Sequence, residues 1–284
     1  MSLPRENRFR SLSAHGFHRV VYREWGAPDN PRVVVCVHGL TRNGRDFDFL
    51  AQRLAGRFRV LCPDMPGRGD SEWLRNPGDY GFPTYLTALT AMLAHARTDR
   101  VAWVGTSMGG LLGMVMAAQP ETPVAKLVVN DVGPVIEGQA LTRIAAYVGL
   151  DPTFDTFEAL EAHIRAVSAP FGALSDAQWH ALALSTAREC PDGRWRLKYD
   201  PGIAVSFRTA AAQNTDLWAI WDAIACPTLL LRGAQSDLLS SATAAEMRLR
   251  GPKPDMVEFP GVGHAPMFLS DEQIAPVEAF LNAN

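Results

Sequence analysis

The chain has 284 residues, 47% of them hydrophobic and 20% charged, a balance that describes a folded globular protein and excludes a disordered one. A formal net charge of −3 leaves no basic excess for a phosphate backbone, so nucleic acid is not an expected partner. The opening MSLPRENRFRSLSAHGFHR has no apolar run, and the uncharged stretch Val101–Pro120 is broken by glycine, threonine and serine; neither a secretory signal nor a membrane span is expected.

In chain order, His18–Trp25 reads as an antiparallel edge strand. Val33–Gly39 (VVVCVHG) is a continuous apolar run ended by glycine, as a strand buried on both faces requires. Phe47, Leu50, Ala51 and Leu54 fall at i, i+3, i+4 and i+7, and Gly56 closes this amphipathic helix. Phe58–Gly69 is a strand running into a proline- and glycine-rich loop. Tyr85–Ala96 is helical, Val101–Gly105 a strand, Met108–Ala118 a helix stopped before Pro120, and Lys126–Asp131 a strand. This alternation implies an α/β protein with a mostly parallel sheet and helices on both faces. After Pro134 the pattern changes to three helices, Gln139–Gly149, Thr156–Ser168 and Asp176–Glu189, with Asp155 and Ser175 as caps of the last two. Strands return at Pro227–Gly233 and Met256–Gly261, with helices at Thr243–Leu249 and Asp271–Asn282. The expected organisation is an α/β core over 1–134 and 215–284, interrupted by a helical insertion over 135–214. Four scattered cysteines, Cys36, Cys62, Cys190 and Cys226, lack C-x-x-C spacing; reduced thiols in a cytoplasmic protein are expected, with no disulfide framework and no metal.

Gly105-Thr106-Ser107-Met108-Gly109 is G-x-S-x-G, and it follows a strand and opens a helix. A serine on so sharp a bend needs neighbours without side chains, and the helix N-terminus favours negative charge developing beside it. A hydroxyl attacks a carbonyl only when a base takes its proton. Of the seven histidines, His264 lies in Gly261–Pro266, between the last strand and the last helix, where such a sheet presents functional groups. His95, His163 and His180 lie on helical segments and read as packing or surface residues. The base needs a carboxylate to fix its tautomer. Asp237, just after the strand Pro227–Gly233, is the favoured candidate and gives the order Ser…Asp…His; Asp131, ending Lys126–Asp131, is the rival. The backbone N–H groups of Leu40, after His38-Gly39, and of Met108, after the serine, are the candidate oxyanion donors.

HGLT, DMPGRGDS, GTSMGG, RGAQSD and GVGHAP, in this order and spacing, resemble the α/β-hydrolase superfamily, and most of all its capped esterase, lactonase and carbon–carbon hydrolase branch. The resemblance spans about 25–264. It implies an eight-stranded sheet, a helical cap inserted after the sixth strand, no cofactor, and the catalytic roles just given to Ser107, Asp237 and His264. Dehalogenases and epoxide hydrolases of that superfamily carry a carboxylate where this chain has Ser107, so neither activity is expected. The DMPGRGDS loop is given no catalytic part.

Specificity should be decided under the insertion. Tyr147, Phe154, Phe171, Trp179 and Trp218 are candidates for an apolar pocket, and Arg42 for pairing with a substrate carboxylate. The expected substrate is a small, fairly apolar carboxylic ester or lactone, cleaved through an acyl-enzyme at Ser107. Cleavage of a dienoate carbon–carbon bond uses the same triad and is the alternative, and a ligand sensor built on a hydrolase pocket is another. The oligomeric state is not legible in the sequence.

Overall fold

The computed structural model describes residues 3–136, 138–211 and 216–283. The chain runs β1 (Arg5–Ser13), β2 (Gly16–Trp25), β3 (Val33–Val37), α1 (Asp48–Leu54), β4 (Arg59–Asp64), α2 (Phe82–His95), β5 (Val101–Thr106), α3 (Met108–Ala117) and β6 (Val124–Asn130). Next come α4 (Gly138–Tyr147), α5 (Phe157–Val167), α6 (Asp176–Thr186), β7 (Ala187–Glu189), β8 (Trp195–Leu197), α7 (Ile203–Ala211) and α8 (Trp218–Asp222). Then β9 (Thr228–Gly233), α9 (Ser241–Met247), β10 (Asp255–Phe259) and α10 (Asp271–Asn282) follow.

Eight strands form one sheet in the order β1-β2-β4-β3-β5-β6-β9-β10. The β1–β2 and β2–β4 pairs are antiparallel and every other pair in this sheet is parallel. The all-apolar runs of the central strands are explained by the two-sided packing. Val33, Val35 and Val37 of β3 join Trp103, Leu127 and Leu230 on one face, under α2, α3 and α9. Val34 and Cys36 join Val60, Val104 and Leu231 on the other, under α1 and α10. Because β3, β5, β6, β9 and β10 run the same way, the loops carrying Leu40, Ser107, Asp131, Asp237 and His264 all leave one edge of the sheet.

Several sequence expectations need correction. The strand at His18–Trp25 is antiparallel but is not the edge; β1 lies outside it, joined by a tight turn at Ala14–His15. In β1 only Phe9 and Ser11 are buried while Glu6, Arg8 and Arg10 face solvent, a charged exterior that suits an edge strand. The third helix expected over 135–214 ends at Thr186, not Glu189: Ala187–Glu189 pairs with Trp195–Leu197 across a turn containing Asp192-Gly193, with Gly193 at φ +79°. Thr156 rather than Asp155 caps α5, whereas Ser175 caps α6 with a full capping box. The expected boundary at 214/215 lies outside the described residues. Leu160, Ile164, Trp179, Leu182 and Ala183 make a small core of their own, closed by Met267 and Leu269 from the loop after His264. Among the described residues no helix is long and apolar enough to cross a membrane.

Candidate active site

Ser107 sits between β5 and α3 at φ 53°, ψ −117°, a conformation that non-glycine residues rarely adopt. The bend is tight enough to explain both flanking glycines by space alone. A Cβ on Gly105 would lie 2.2 Å from the Gly109 carbonyl oxygen, and one on Gly109 would lie 1.9 Å from that of Val37. The Ser107 N–H donates to the Asn130 carbonyl at 3.0 Å, which ties the bend to the neighbouring strand. Asn130 was not singled out in the sequence. Its Nδ2 donates to Thr106 Oγ1 at 2.9 Å and to the Pro266 carbonyl at 2.8 Å, so one amide connects the serine's strand with the histidine's loop.

His264 Nε2 lies 3.0 Å from Ser107 Oγ, and its Nδ1 lies 2.7 Å from Asp131 Oδ2. Asp131 is fully buried. It also accepts from the Gly233 N–H at 2.9 Å and from Ser236 Oγ at 2.7 Å. Asp237, favoured in the sequence, is not the partner; its carboxylate faces outward and is held by Arg143 Nε and Nη2 at 2.5 and 2.9 Å. The physical reason is the turn after β9. The Ser236 N–H folds back onto the Gly233 carbonyl at 2.9 Å, which aims Ser236 inward at Asp131 and leaves Asp237, one residue on, pointing away. Asp131 itself stands at φ 56°, a backbone bend that aspartate tolerates better than most residues.

The peptide that carries the Leu40 N–H is held by His38. Its Nε2 accepts from the Met65 N–H at 2.9 Å, so Nδ1 carries the proton and donates to the Gly39 carbonyl at 2.7 Å. The Gly39 carbonyl and the Leu40 N–H belong to one trans peptide and point in opposite directions; fixing the first aims the second. Arg68, fully buried, donates from Nε to the Leu40 carbonyl at 2.8 Å and from Nη1 to Tyr85 Oη and the Pro66 carbonyl, both at 2.7 Å. The DMPGRGDS loop is therefore a brace for the peptides around Leu40. Complete burial lowers the His38 pKa to about 3, so the ring is neutral at neutral pH. The sign of the consequence follows from linkage. The unfolded chain holds a proton on His38 that the folded chain refuses, so stability falls as pH drops from about 6.5 towards 3, by roughly 1.4 kcal/mol per pH unit for this one group. His38→Asn should flatten that part of the profile, measured as the difference in denaturant midpoint between pH 7 and pH 5.

Ser107, His264 and Leu40 open onto a cavity of about 280 Å³. Arg42, Tyr147 and Phe171 line it as expected, and so does His163, which reads as a packing residue in the sequence. Trp179 and Trp218 do not line it. Trp179 is buried in the small core with Leu160 and Ile164, and Trp218, on α8, packs against the main core beneath the Arg250 guanidinium, 4.4 Å from its ring centre. Phe154 packs against the same small core, 5.1 Å from the His163 ring. Trp179 is buried and Phe154 and Trp218 are half-buried, and all three pack against protein rather than facing the cavity.

Residues 34–279 match the model of the alpha/beta hydrolase family. The chain belongs to that family, and it is a hydrolase. It is 47% identical to the 3-hydroxybutyrate-oligomer hydrolase of Cupriavidus necator, over 98% of this chain and 97% of that one. It is 26% identical to the 2-(acetamidomethylene)succinate hydrolase of Mesorhizobium japonicum, over 80% and 79% of the two chains. Among solved structures, an alpha/beta hydrolase from Novosphingobium aromaticivorans superposes with a TM-score of 0.89 at 38% identity, covering 99% of each chain.

Proposed function

We propose that this protein cleaves carboxylic esters through an acyl-enzyme on Ser107, with His264 as general base and acid and Asp131 as the carboxylate that orients it. Ser107 Oγ attacks the ester carbonyl as His264 Nε2 takes its proton. The N–H groups of Leu40 and Met108 hold the oxyanion. His264 then returns the proton to the departing alkoxide, and the alcohol leaves. A water molecule, losing its proton to His264, attacks the acyl-serine; the intermediate collapses to the free acid and restores the serine. Ester and water thus yield acid and alcohol, with no other reactant.

The observation that carries this reading is the unbroken chain Asp131–His264–Ser107 at 2.7 and 3.0 Å, with the serine at the mouth of a cavity. The kinship with a 3-hydroxybutyrate-oligomer hydrolase at 47% identity supports short hydroxy-acid esters as the substrate class. Residues 135–214 are proposed to form the lid of the pocket. The test has two parts. The purified enzyme should turn over p-nitrophenyl butyrate and 3-hydroxybutyrate oligomers, and a fluorophosphonate should add once, on Ser107, with loss of activity. Adduct formation elsewhere, or turnover of dienoates with no ester hydrolysis, would overturn the reading.

A further inference from the structure

Two arginines line the cavity beside Ser107 and His264, and each grips a carboxylate by two parallel bonds. Arg42 Nε and Nη2 hold Asp46 at 2.9 and 2.6 Å; Arg143 Nε and Nη2 hold Asp237 at 2.5 and 2.9 Å. Their surroundings differ. The Arg42 and Asp46 side chains are 15% and 8% exposed, those of Arg143 and Asp237 41% and 49%. Drawing Arg42 away would leave a carboxylate buried without a partner, which is costly. Drawing Arg143 away leaves Asp237 to water, which solvates it readily, and half-exposed pairs of this kind hold weakly. Arg42, expected from the sequence to meet a substrate carboxylate, is thus committed to Asp46. Arg143 is the cation free to change partners.

The neighbourhood of Arg143 suits an acid with an apolar body. The guanidinium fork already accepts a carboxylate in a bidentate manner, and that geometry does not depend on which carboxylate it is. Tyr147, one turn along α4, also lines the cavity and brings a phenol hydroxyl that can donate. Ile144, Val167, Phe171 and Met267 make up apolar wall of the same cavity. We propose that Arg143 exchanges Asp237 for the free carboxylate of the substrate, which makes the enzyme selective for esters that carry one, short hydroxy-acid oligoesters among them. The inference rests on the ester-cleaving reading of Ser107 and adds to it the anchor that chooses the substrate. In a dimer of a hydroxy acid the free carboxylate belongs to the alcohol half, so Arg143 would hold the leaving group.

The experiment compares the dimer of 3-hydroxybutyrate with its primary amide, which keeps the shape and removes the charge. Both are measured as kcat/KM in wild type, Arg143→Met and Asp237→Asn, with p-nitrophenyl butyrate as a charge-free control. Wild type should prefer the acid by more than tenfold. Arg143→Met should bring the ratio of acid to amide to near one, mainly through KM of the acid. Asp237→Asn should lower KM for the acid several-fold, because the competing carboxylate is gone. The ratio is internal to each variant, so loss of folded material cancels. A fixed clamp between α4 and the core would make both substitutions change rates alike and leave the ratio untouched; that result overturns the inference. So does a wild type without preference, while its hydrolysis of p-nitrophenyl butyrate would keep the ester reading standing. Hydrolysis of none of the esters removes both.

Discussion

Ser107→Ala should lower kcat on p-nitrophenyl butyrate by about 10⁵-fold or more while leaving the thermal midpoint close to that of wild type. The size follows from what the substitution removes. Without Oγ there is no covalent path, and the remaining groups can only bind the substrate and polarise its carbonyl, which leaves a residual rate supplied by the oxyanion donors. Stability should be nearly unchanged for a separate reason. The bend at residue 107 is fixed by the N–H bond to Asn130, by carbonyl bonds from the Gly110 and Leu111 N–H groups, and by Gly105 and Gly109, none of which uses the hydroxyl. Serine also holds a strained φ without lending its side chain to the helix as a cap. Relief of nothing and loss of nothing structural is the expected balance, read by calorimetry beside the kinetics. A variant that retains more than a hundredth of wild-type turnover would place the nucleophile elsewhere.

Much of the sheet was legible because its strands are buried on both faces and therefore spell continuous apolar runs, as VVVCV, VAWV and TLLL do. Ser107 and His264 were legible because the bend at 107 dictates its glycines and because His264 stands alone in its loop. The features that were missed have different physical causes. β1 exposes most of its side chains and buries only Phe9 and Ser11, so its charges hid the period of two. Asp131 and Asp237 both follow a strand, at adjacent positions in the sheet, and both satisfy the same chain order with Ser107 and His264. Which one turns inward depends on a single backbone bond, Ser236 N–H to Gly233 carbonyl, that shifts the inward-facing register by one residue. No periodicity or motif reports such a bond. The same holds for His38, whose importance lies in which way one peptide plane is turned, and for Trp179, whose apolar partner could have been substrate or core. Within 135–214, amphipathic spacing located α4, α5 and α6 but not α7, and the helical pattern ran on through Ala187–Glu189, which the Asp192-Gly193 turn instead pairs with Trp195–Leu197.

The second large effect separates the two aspartates. Asp131→Asn should lower kcat by about 10⁴-fold, and Asp237→Asn by less than tenfold on p-nitrophenyl butyrate. As a carboxylate, Asp131 accepts from three donors at once: the Gly233 N–H, Ser236 Oγ and His264 Nδ1. An asparagine has one accepting oxygen. If that oxygen stays on the Gly233 N–H, the amide NH₂ meets His264 Nδ1, which must then accept instead of donate. The imidazole proton moves to Nε2, facing Ser107, and a nitrogen that already carries a proton cannot take another from the hydroxyl. The geometry would survive and the chemistry would not, so KM should move far less than kcat. Raising the pH cannot restore the rate, because the lost function is a tautomer and not a charge that base could regenerate. Asp237→Asn leaves this arrangement intact, since that side chain meets only Arg143 among the hydrogen-bonded partners described. Were the two losses to come out in the opposite order, the 2.7 Å contact between Asp131 and His264 would not be the one that orients the base.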